Sequence, residues 1–410
     1  MATAAPVTPA PVSNDTQHGN KQHSDGGWGL APVQTRSERF ASASVADFPA
    51  VTGREAAWKY TPVARIDALL NGELDGSRYP FELTAADGVS AEWVGREHAG
   101  IGGAGLPEDR ASANAWSSFT EALLVRIAGE QTAELSLSRS EFGSAPHAAH
   151  TVIEVAPFAR ATLLLRNSGD AHLTENLEVI VGESAELTLV SVQEWTDESS
   201  HVATHFARVG RDARLKHVVV SLGGGFMRVN PAIRLADSGA DVELFGAYFA
   251  DAGQYIEHQV YVFHDAPHGR SRVTYKGALQ GTGAHTVWIG DVLIGQKAVG
   301  TDSYEQNRNL VLTEGARADS VPNLEIEIGD IVGAGHASAT GRFDDEQLFY
   351  LQSRGITEDE ARRLVVRGFL IEVVQQIGSP ALEAHLQQAI EAELAGGSAP
   401  AENLDEVIAR

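Results

Sequence analysis

The chain of 410 residues contains no cysteine. Disulfides, thiolate zinc sites, thiol nucleophiles and iron–sulfur clusters held by the chain's own thiolates all require cysteine, so the sequence excludes each of them. Positive charge is also scarce, because 31 Lys and Arg residues stand against 55 Asp and Glu residues and leave a formal net charge of −24. Phosphate backbones and anionic membrane surfaces would repel such a chain. We therefore expect neither nucleic acid nor a membrane as a partner.

Long apolar runs are absent as well. No window approaches the roughly 20 apolar residues of a membrane span, and no cationic stretch followed by an apolar one opens the chain. Together with the lack of cysteine, these features predict a cytoplasmic protein. Residues 1–50 carry few large apolar side chains, which predicts a disordered tail, and residues 396–410 are predicted to form a second, flexible tail.

A loose repeat occupies the middle of the chain, where short alternating or β-branched runs replace helical periodicity. A small residue precedes an x-apolar-x-apolar run at Ala133, Ala161, Ala185, Ala213, Ala240 and Ser271. The intervals between them are 28, 24, 28, 27 and 31 residues. This spacing, without intervening helices, predicts a parallel β-helix, or β-solenoid, over residues 121–340. A β-sandwich is the alternative fold.

A glycine-rich stretch at residues 100–105 matches the G-x-G-x-x-G pattern of dinucleotide-binding loops. The context does not fit such a loop, because Leu106 and Pro107 follow at once and no strand-helix-strand pattern surrounds it. We therefore predict a flexible loop here rather than a nucleotide site.

Closely spaced histidines occur in three pairs, His147 with His150, His201 with His205, and His264 with His268. The second and third pairs are four residues apart, a spacing that would let two histidines on a helix share a metal. Their flanking sequences predict strands, in which residues four apart lie about 13 Å from each other at about 3.3 Å per residue. We predict solvent-exposed or hydrogen-bonded histidines at these pairs and place the first pair in a loop.

Helical signals take over near the C-terminus. Asp344 with Gln347 fits a capping box at the start of a short helix, and Gly355 fits its C-terminal cap. Thr357 with Glu360 fits the cap of a second helix. These signals predict a helical domain over residues 341–395.

The second and third predicted helices each carry an apolar stripe. The third helix is predicted to open at Ser379-Pro380. The stripes consist of Leu364, Val365, Phe369 and Val373 in the second helix, and of Leu382, Leu386, Ile390 and Leu394 in the third. Such a stripe is more often core than partner surface. Because a small helical domain at the end of a solenoid has little core of its own, a docking role for the third stripe is the alternative.

Several segments together resemble the SufB/SufD family of SUF iron–sulfur cluster assembly proteins, and its SufD branch in particular. The most specific match comprises residues 322–332, His336 and residues 341–356, and weaker matches occupy residues 307–312, 316–320 and 54–61. The resemblance implies a parallel β-helix core, with a helical or mixed N-terminal region at residues 51–120. It also implies a non-enzymatic scaffold that pairs with SufB through the β-helices and binds SufC, an ABC-type ATPase, through the C-terminal helices.

The resemblance places His336 where a SufD histidine and a SufB cysteine are thought to meet a nascent cluster. His336 is therefore a candidate iron ligand or proton acceptor at the SufB interface. We expect no cofactor bound stably by this chain alone, a transient iron–sulfur cluster in the complex, and no flavin site that the sequence locates, although a flavin has been associated with the assembled complex.

One departure from the family pattern bears on this assignment. Many members have Cys-Ser-His-Gly around the histidine, whereas this chain has Ala334, Gly335, His336 and Ala337. Any thiolate must then come from the partner, which favours SufD over SufB. The alternatives are a SufB-like homodimeric scaffold and a β-helix enzyme that acts on polysaccharides through clustered carboxylates.

Overall fold

A computed structural model of the protein describes residues 39–85, 87–129, 132–140, 142–343 and 345–394. Most of the predicted tail at residues 1–50 and all of the tail at residues 396–410 lie outside these ranges. The predicted capping residue Asp344 lies outside them too, as does the side chain of Gln347.

Eighteen strands of the described residues form two sheets of nine. The first sheet contains, in spatial order, β1 (Glu82–Ala85), β4 (Thr132–Arg139), β6 (Arg160–Gly169), β8 (Glu186–Trp195), β10 (Arg214–Ser221), β12 (Asp241–Ala250), β14 (Arg270–Leu279), β16 (Asp302–Val311) and β18 (Gly333–Arg342). The second contains β2 (Val89–Gly95), β3 (Glu121–Ile127), β5 (Gly143–Val155), β7 (Ala171–Val181), β9 (Ser200–Val209), β11 (Phe226–Leu235), β13 (Tyr255–His264), β15 (His285–Ile294) and β17 (Arg317–Ile326).

Consecutive strands alternate between the two sheets from β3 onward, and neighbours within each sheet are parallel. Each coil therefore gives one strand to each sheet, and the chain winds into a β-solenoid of about eight turns. The predicted parallel β-helix is confirmed, and the sandwich alternative is wrong. Inward-facing apolar residues of both sheets form the main core, because every coil buries its inner face against the next.

The sequence repeat corresponds to the strands of the first sheet, but two of its intervals are wrong by two residues. Ala161 pairs with Leu187, not with Ala185, and Val242 pairs with Ser271. Side chains of a strand alternate between its faces with a period of two, so a shift of two residues leaves the inward set unchanged. The pattern therefore identified the correct face while misplacing the register.

One end of the solenoid is capped. Strands β1 and β2 pair antiparallel with β4 and β3. Helices α1 (Asp67–Asn71) and α2 (Arg110–Ser118) pack with nearby apolar residues on the outer face of the second sheet, as do two short 3-10 helices, Ala56–Trp58 and Val63–Ile66. A third 3-10 helix, Val45–Asp47, contacts α2. Among the described residues, no strand pairs with the outer edge of β17 or β18 at the opposite end.

Up to residue 394, three helices follow the last coil: α3 (Asp345–Ser353), α4 (Glu358–Val374) and α5 (Pro380–Leu394). Two of the predicted caps are confirmed. Gly355 follows α3 with a φ of 87°, and its N–H donates to the Gln352 carbonyl. The Thr357 hydroxyl accepts a hydrogen bond from the Glu360 N–H at the start of α4. Within the described part of the chain, no helix is both long and apolar enough to cross a membrane.

The apolar stripe of α5 is covered by the protein itself. Leu382, Leu386 and Ile390 are buried in a cluster with outward-facing residues of the first sheet, among them Val218 and Phe245. The stripe is therefore core, and the docking alternative is wrong, because the helices lie along the side of the solenoid, whose outer face supplies the missing core.

The buried face of α4 also differs from the predicted one. Its buried residues are Val366, Leu370, Val373 and Val374, whereas the side chain of Leu364 is exposed. Of the four predicted stripe residues in α4, only Val373 is buried.

Candidate functional site

Within the part of the chain that the structure describes, the end of the solenoid at β18 has backbone groups that no strand pairs with. The N–H groups of Gly333, the first residue of β18, and of Phe343, the residue after its end, donate to the Thr301 and Val311 carbonyls of the preceding coil. Alternate residues of a strand point their amides the same way, so the amides of Ser338 and Thr340 face away from β16. A strand edge in this state is a template for pairing with another chain.

Apolar side chains surround this open edge. Val332 is 75% exposed, Ile326 47% and Tyr304 40%. Ala334 and Leu324, which continue the inner core, are only partly buried, because the described chain forms no further coil over them. An exposed apolar patch beside an unpaired strand edge marks a surface for protein association.

His336 lies in the middle of β18, at this open end. Its side chain is 42% exposed, and its Nδ1 atom lies 3.9 Å from Oε1 of Glu305. The two residues occupy paired positions on β18 and β16. Of the described residues, no group of three or more His, Cys, Asp or Glu side chains could hold a metal ion. The role predicted for His336 thus stays a prediction, and any metal held there would need donors from elsewhere.

Sequence reasoning missed Glu305. Its side chain is 1% exposed, and neither carboxylate oxygen makes a hydrogen bond of normal geometry within the described structure. Burial and the nearby Asp291 carboxylate raise the pKa of Glu305 to about 8, and the Asn323 backbone amide opposes that rise. Only the register of β16 against β18 could have identified Glu305, because that pairing places it inside the solenoid next to His336.

Gly290 on β15 gives Glu305 the room to lie where it does. A Cβ atom on Gly290 would lie 2.4 Å from Oε2 of Glu305 and 2.3 Å from the ring of Trp288. Contacts this short are not tolerated, so any larger residue at position 290 would displace the carboxylate or the indole.

The glycine-rich loop holds one of the protein's own carboxylates. The N–H groups of Gly102 and Ala104 donate to the two oxygens of Glu178, at 2.8 and 3.1 Å. The Nε2 atom of buried His150 lies 2.9 Å from the same carboxylate. The amides that a dinucleotide would need are occupied, which agrees with rejecting that motif, but the loop is anchored and the prediction of a flexible loop is wrong.

The histidine pairs do not converge on a metal. His201 bonds Glu175 at 2.8 Å, His205 bonds His217 at 3.1 Å, and His264 bonds Ser271 at 2.9 Å. Burial lowers the pKa of His205 to about 3 and that of His264 to about 4, so both are neutral at physiological pH.

The remaining histidines of these pairs have different surroundings. His268 is exposed in a turn with a φ of 60°. His147 and His150 lie in strand β5, so the loop predicted for them is wrong. The turn residues Ser144 and Pro146 misled the prediction, because they start a strand whose partner register shifts at that point.

A buried ion pair lies inside the solenoid, near the capped end. The Arg139 guanidinium donates to both oxygens of Glu175, at 2.6 and 2.9 Å, and to Asn167 at 2.8 Å. Burial alone would raise the pKa of Glu175, but Arg139 and His201 hold it well below its usual range. This pair is distant in sequence from the open end and has a structural role.

Comparison with known proteins gives consistent matches. A family model described as SUF system FeS cluster assembly, SufBD core domain, matches residues 138–369. An iron–sulfur cluster assembly SufBD family protein of Mycobacterium bovis is 45% identical over 372 residues, which are 88% of this chain and 94% of that protein. One from Mycobacterium leprae is 45% identical over 365 residues, which are 87% and 93% of the two chains. One from Synechocystis is 29% identical over 213 residues, which are 52% and 47%.

Proposed function

Because the chain belongs to the SufBD family of iron–sulfur cluster assembly proteins, we propose that it is the SufD-type scaffold subunit of a SUF complex, without catalytic activity of its own. In this proposal it pairs with a SufB-type paralogue and binds a SufC-type ATPase. The SufD assignment is supported by the absence of cysteine, because a chain without thiols needs a partner that supplies them to hold an iron–sulfur cluster.

The observation that carries the proposal is the open end of the solenoid. Its unpaired strand edge and exposed apolar rim fit a second β-helix that would extend both sheets by strand addition. His336 lies within that surface and is accessible from it. A cluster built at the interface would therefore form within reach of an imidazole from this chain and a thiolate from the partner.

The C-terminal helices are the proposed contact for the ATPase. Phe349 of α3 is 73% exposed, Tyr350 56%, and Leu364 of α4 43%. Exposed aromatic side chains of this size are typical anchors of protein interfaces. They replace the covered stripe of α5 as the candidate docking residues.

Helix α4 is connected directly to the solenoid. Lys276 of β14 contacts the Glu372 carboxylate and lies 4.8 Å from the ring centre of Phe369. Arg362 donates to the Leu312 carbonyl at 2.9 Å, just after β16. A displacement of α4 by the ATPase would thus act on β14 and on the end of β16, the strand that pairs with β18, which is how ATP-driven motion would reach the interface.

In the proposed mechanism the nascent cluster is cargo that leaves the complex. A neutral imidazole nitrogen of His336 would bind iron or accept a proton while the cluster is built. The chain would otherwise serve to position the partner and to exclude water from the site.

We expect His336→Ala to leave complex formation intact and to lower the yield of clusters severalfold, because one donor is lost from an otherwise complete interface. The measurement is anaerobic reconstitution with purified SufB-type and SufC-type partners, followed by iron and sulfide analysis. Thr340→Ala, on the same face of β18, is the matched control. An unchanged yield for His336→Ala would refute the role of His336, and loss of the complex would assign it to packing.

A further inference from the structure

Glu305 is a buried carboxyl group with no side-chain hydrogen-bond partner among the described residues; burial raises its pKa, and the Asn323 backbone amide is what lowers that raised pKa. Its side chain is 1% exposed, and its two oxygens lack hydrogen bonds of normal geometry within the described residues. Leaving a buried acceptor without a hydrogen bond destabilises the fold, and more so when the group is charged. By contrast, the buried Glu175 has Arg139 and His201 as partners. An unsatisfied buried carboxyl next to the open end therefore points to a ligand that the described residues do not supply.

We propose that Glu305 and His336 together form a two-donor site for ferrous iron, which is completed across the open end by the partner. This inference rests on the proposed function, and it extends that function by naming the donor set and the iron species that enters. Strand pairing holds the two residues at matched positions on adjacent coils.

The separation of the two groups fits a shared metal better than a direct bond. Nδ1 of His336 and Oε1 of Glu305 are 3.9 Å apart, beyond hydrogen-bond range. Two donors at about 2.1 Å from one ion lie roughly 3 to 3.5 Å apart in tetrahedral or octahedral geometry. The imidazole is exposed enough to move the remaining distance, of less than about 1 Å, without repacking the core.

The chemistry of the donors matches this ion. Imidazole and carboxylate are the donors that non-haem ferrous sites use, with other positions left open. Oε2 of Glu305 lies close to Gly290 on β15, and Oε1 is the oxygen 3.9 Å from His336. An ion between Oε1 and Nδ1 would take its remaining donors from the partner. Among the described residues no group of three or more His, Cys, Asp or Glu side chains could hold a metal ion. Two donors alone would bind Fe²⁺ weakly, so the site needs further donors from the partner.

The test is anaerobic equilibrium dialysis with Fe²⁺ on the full-length chain, alone and in its complex with the SufB-type partner. We expect Glu305→Gln and His336→Ala each to weaken Fe²⁺ binding by roughly tenfold or more. The double variant should be little weaker than either single variant, because both donors hold one ion. Glu327→Gln, which changes an exposed carboxylate at the same end, is the matched control and should bind as the unaltered chain does.

The outcomes separate this inference from the proposed function. Glu305→Gln with an Fe²⁺ affinity within twofold of the unaltered chain would overturn the Glu305 site, even if cluster assembly still depended on His336. The Glu305 site would also be overturned if the unaltered chain bound no Fe²⁺, whether alone or in its complex with the SufB-type partner. Failure of the unaltered complex to assemble clusters would instead refute the proposed function. Because Gln has nearly the same shape as Glu, retained thermal stability shows that a loss of binding is not a loss of folding.

Discussion

Replacing Arg139 with methionine is expected to lower the free energy of unfolding by about 3 to 5 kcal/mol, the range for removing one partner of a buried ion pair. The side chains of Arg139 and Glu175 are both about 1% exposed or less, and the guanidinium donates a hydrogen bond to each carboxylate oxygen. Without Arg139 the charge of Glu175 is left in the core, where burial raises its pKa. Equilibrium urea unfolding followed by tryptophan fluorescence measures the effect.

Two further variants test whether the loss of stability comes from the burial of the ion pair rather than from the loss of a charge. Arg160→Met breaks an exposed contact with Glu186, in which the two charged groups are 3.7 Å apart, and should leave stability almost unchanged. The double variant Arg139→Met with Glu175→Leu removes both buried charges and should recover much of the loss. If Arg139→Met unfolds at the same urea concentration as the unaltered protein, the buried pair is not a stability determinant.

Replacing Ser338 with proline is expected to weaken binding of the SufB-type partner roughly 10- to 100-fold, which corresponds to about 1.4 to 2.8 kcal/mol. The Ser338 amide faces away from β16, so proline removes a donor from the free edge and leaves the bonds between β16 and β18 in place. The proline ring also blocks close approach of an added strand. Isothermal titration calorimetry with the purified partner measures the change.

Ser338→Ala is the control for this experiment. It removes the same side chain but keeps the amide, so its affinity for the partner should stay within a few-fold of the unaltered protein. Circular dichroism and the melting temperature establish that both variants keep the solenoid. Equal affinities for the proline and alanine variants would mean that the partner does not add a strand to β18.

The fold could be predicted because inward-facing residues recur at nearly constant spacing. Ala133 and Ala161 do pair across adjacent coils. The register could not be predicted for every coil, since Ala161 pairs with Leu187, two residues beyond the small residue Ala185 that the pattern selects, and both residues belong to the inner core. A repeat with a period of two within each strand does not distinguish between such alternatives.

The contents of the site were harder to predict than its location. His336 stood out through its family motif, and the structure places it at an accessible edge. Glu305 could not be identified from the sequence, because the inward face of its strand is polar and consists of Ser303, Glu305, Asn307 and Asn309. Alternation rules assign such residues to solvent, and only the pairing of β16 with β18 brings Glu305 next to His336.

The C-terminal helices show the same limit. Their caps depend on local residues such as Thr357 and Gly355 and were correctly predicted. Which helix face is buried depends on a surface far away in sequence, the outer side of the first sheet, where Val218 and Phe245 lie. No local pattern encodes that contact.

Co-purification of the tagged chain from cells that contain the whole assembly system tests the central claim most directly. The account predicts that mass spectrometry identifies two partners, a paralogue that contains cysteine and a P-loop ATPase. A variant with Phe349→Ala and Tyr350→Ala should lose the ATPase alone, and Ser338→Pro should lose the paralogue alone. Recovery of the chain by itself, or only as a pair of identical copies, would contradict the proposed role as a SufD-type scaffold subunit.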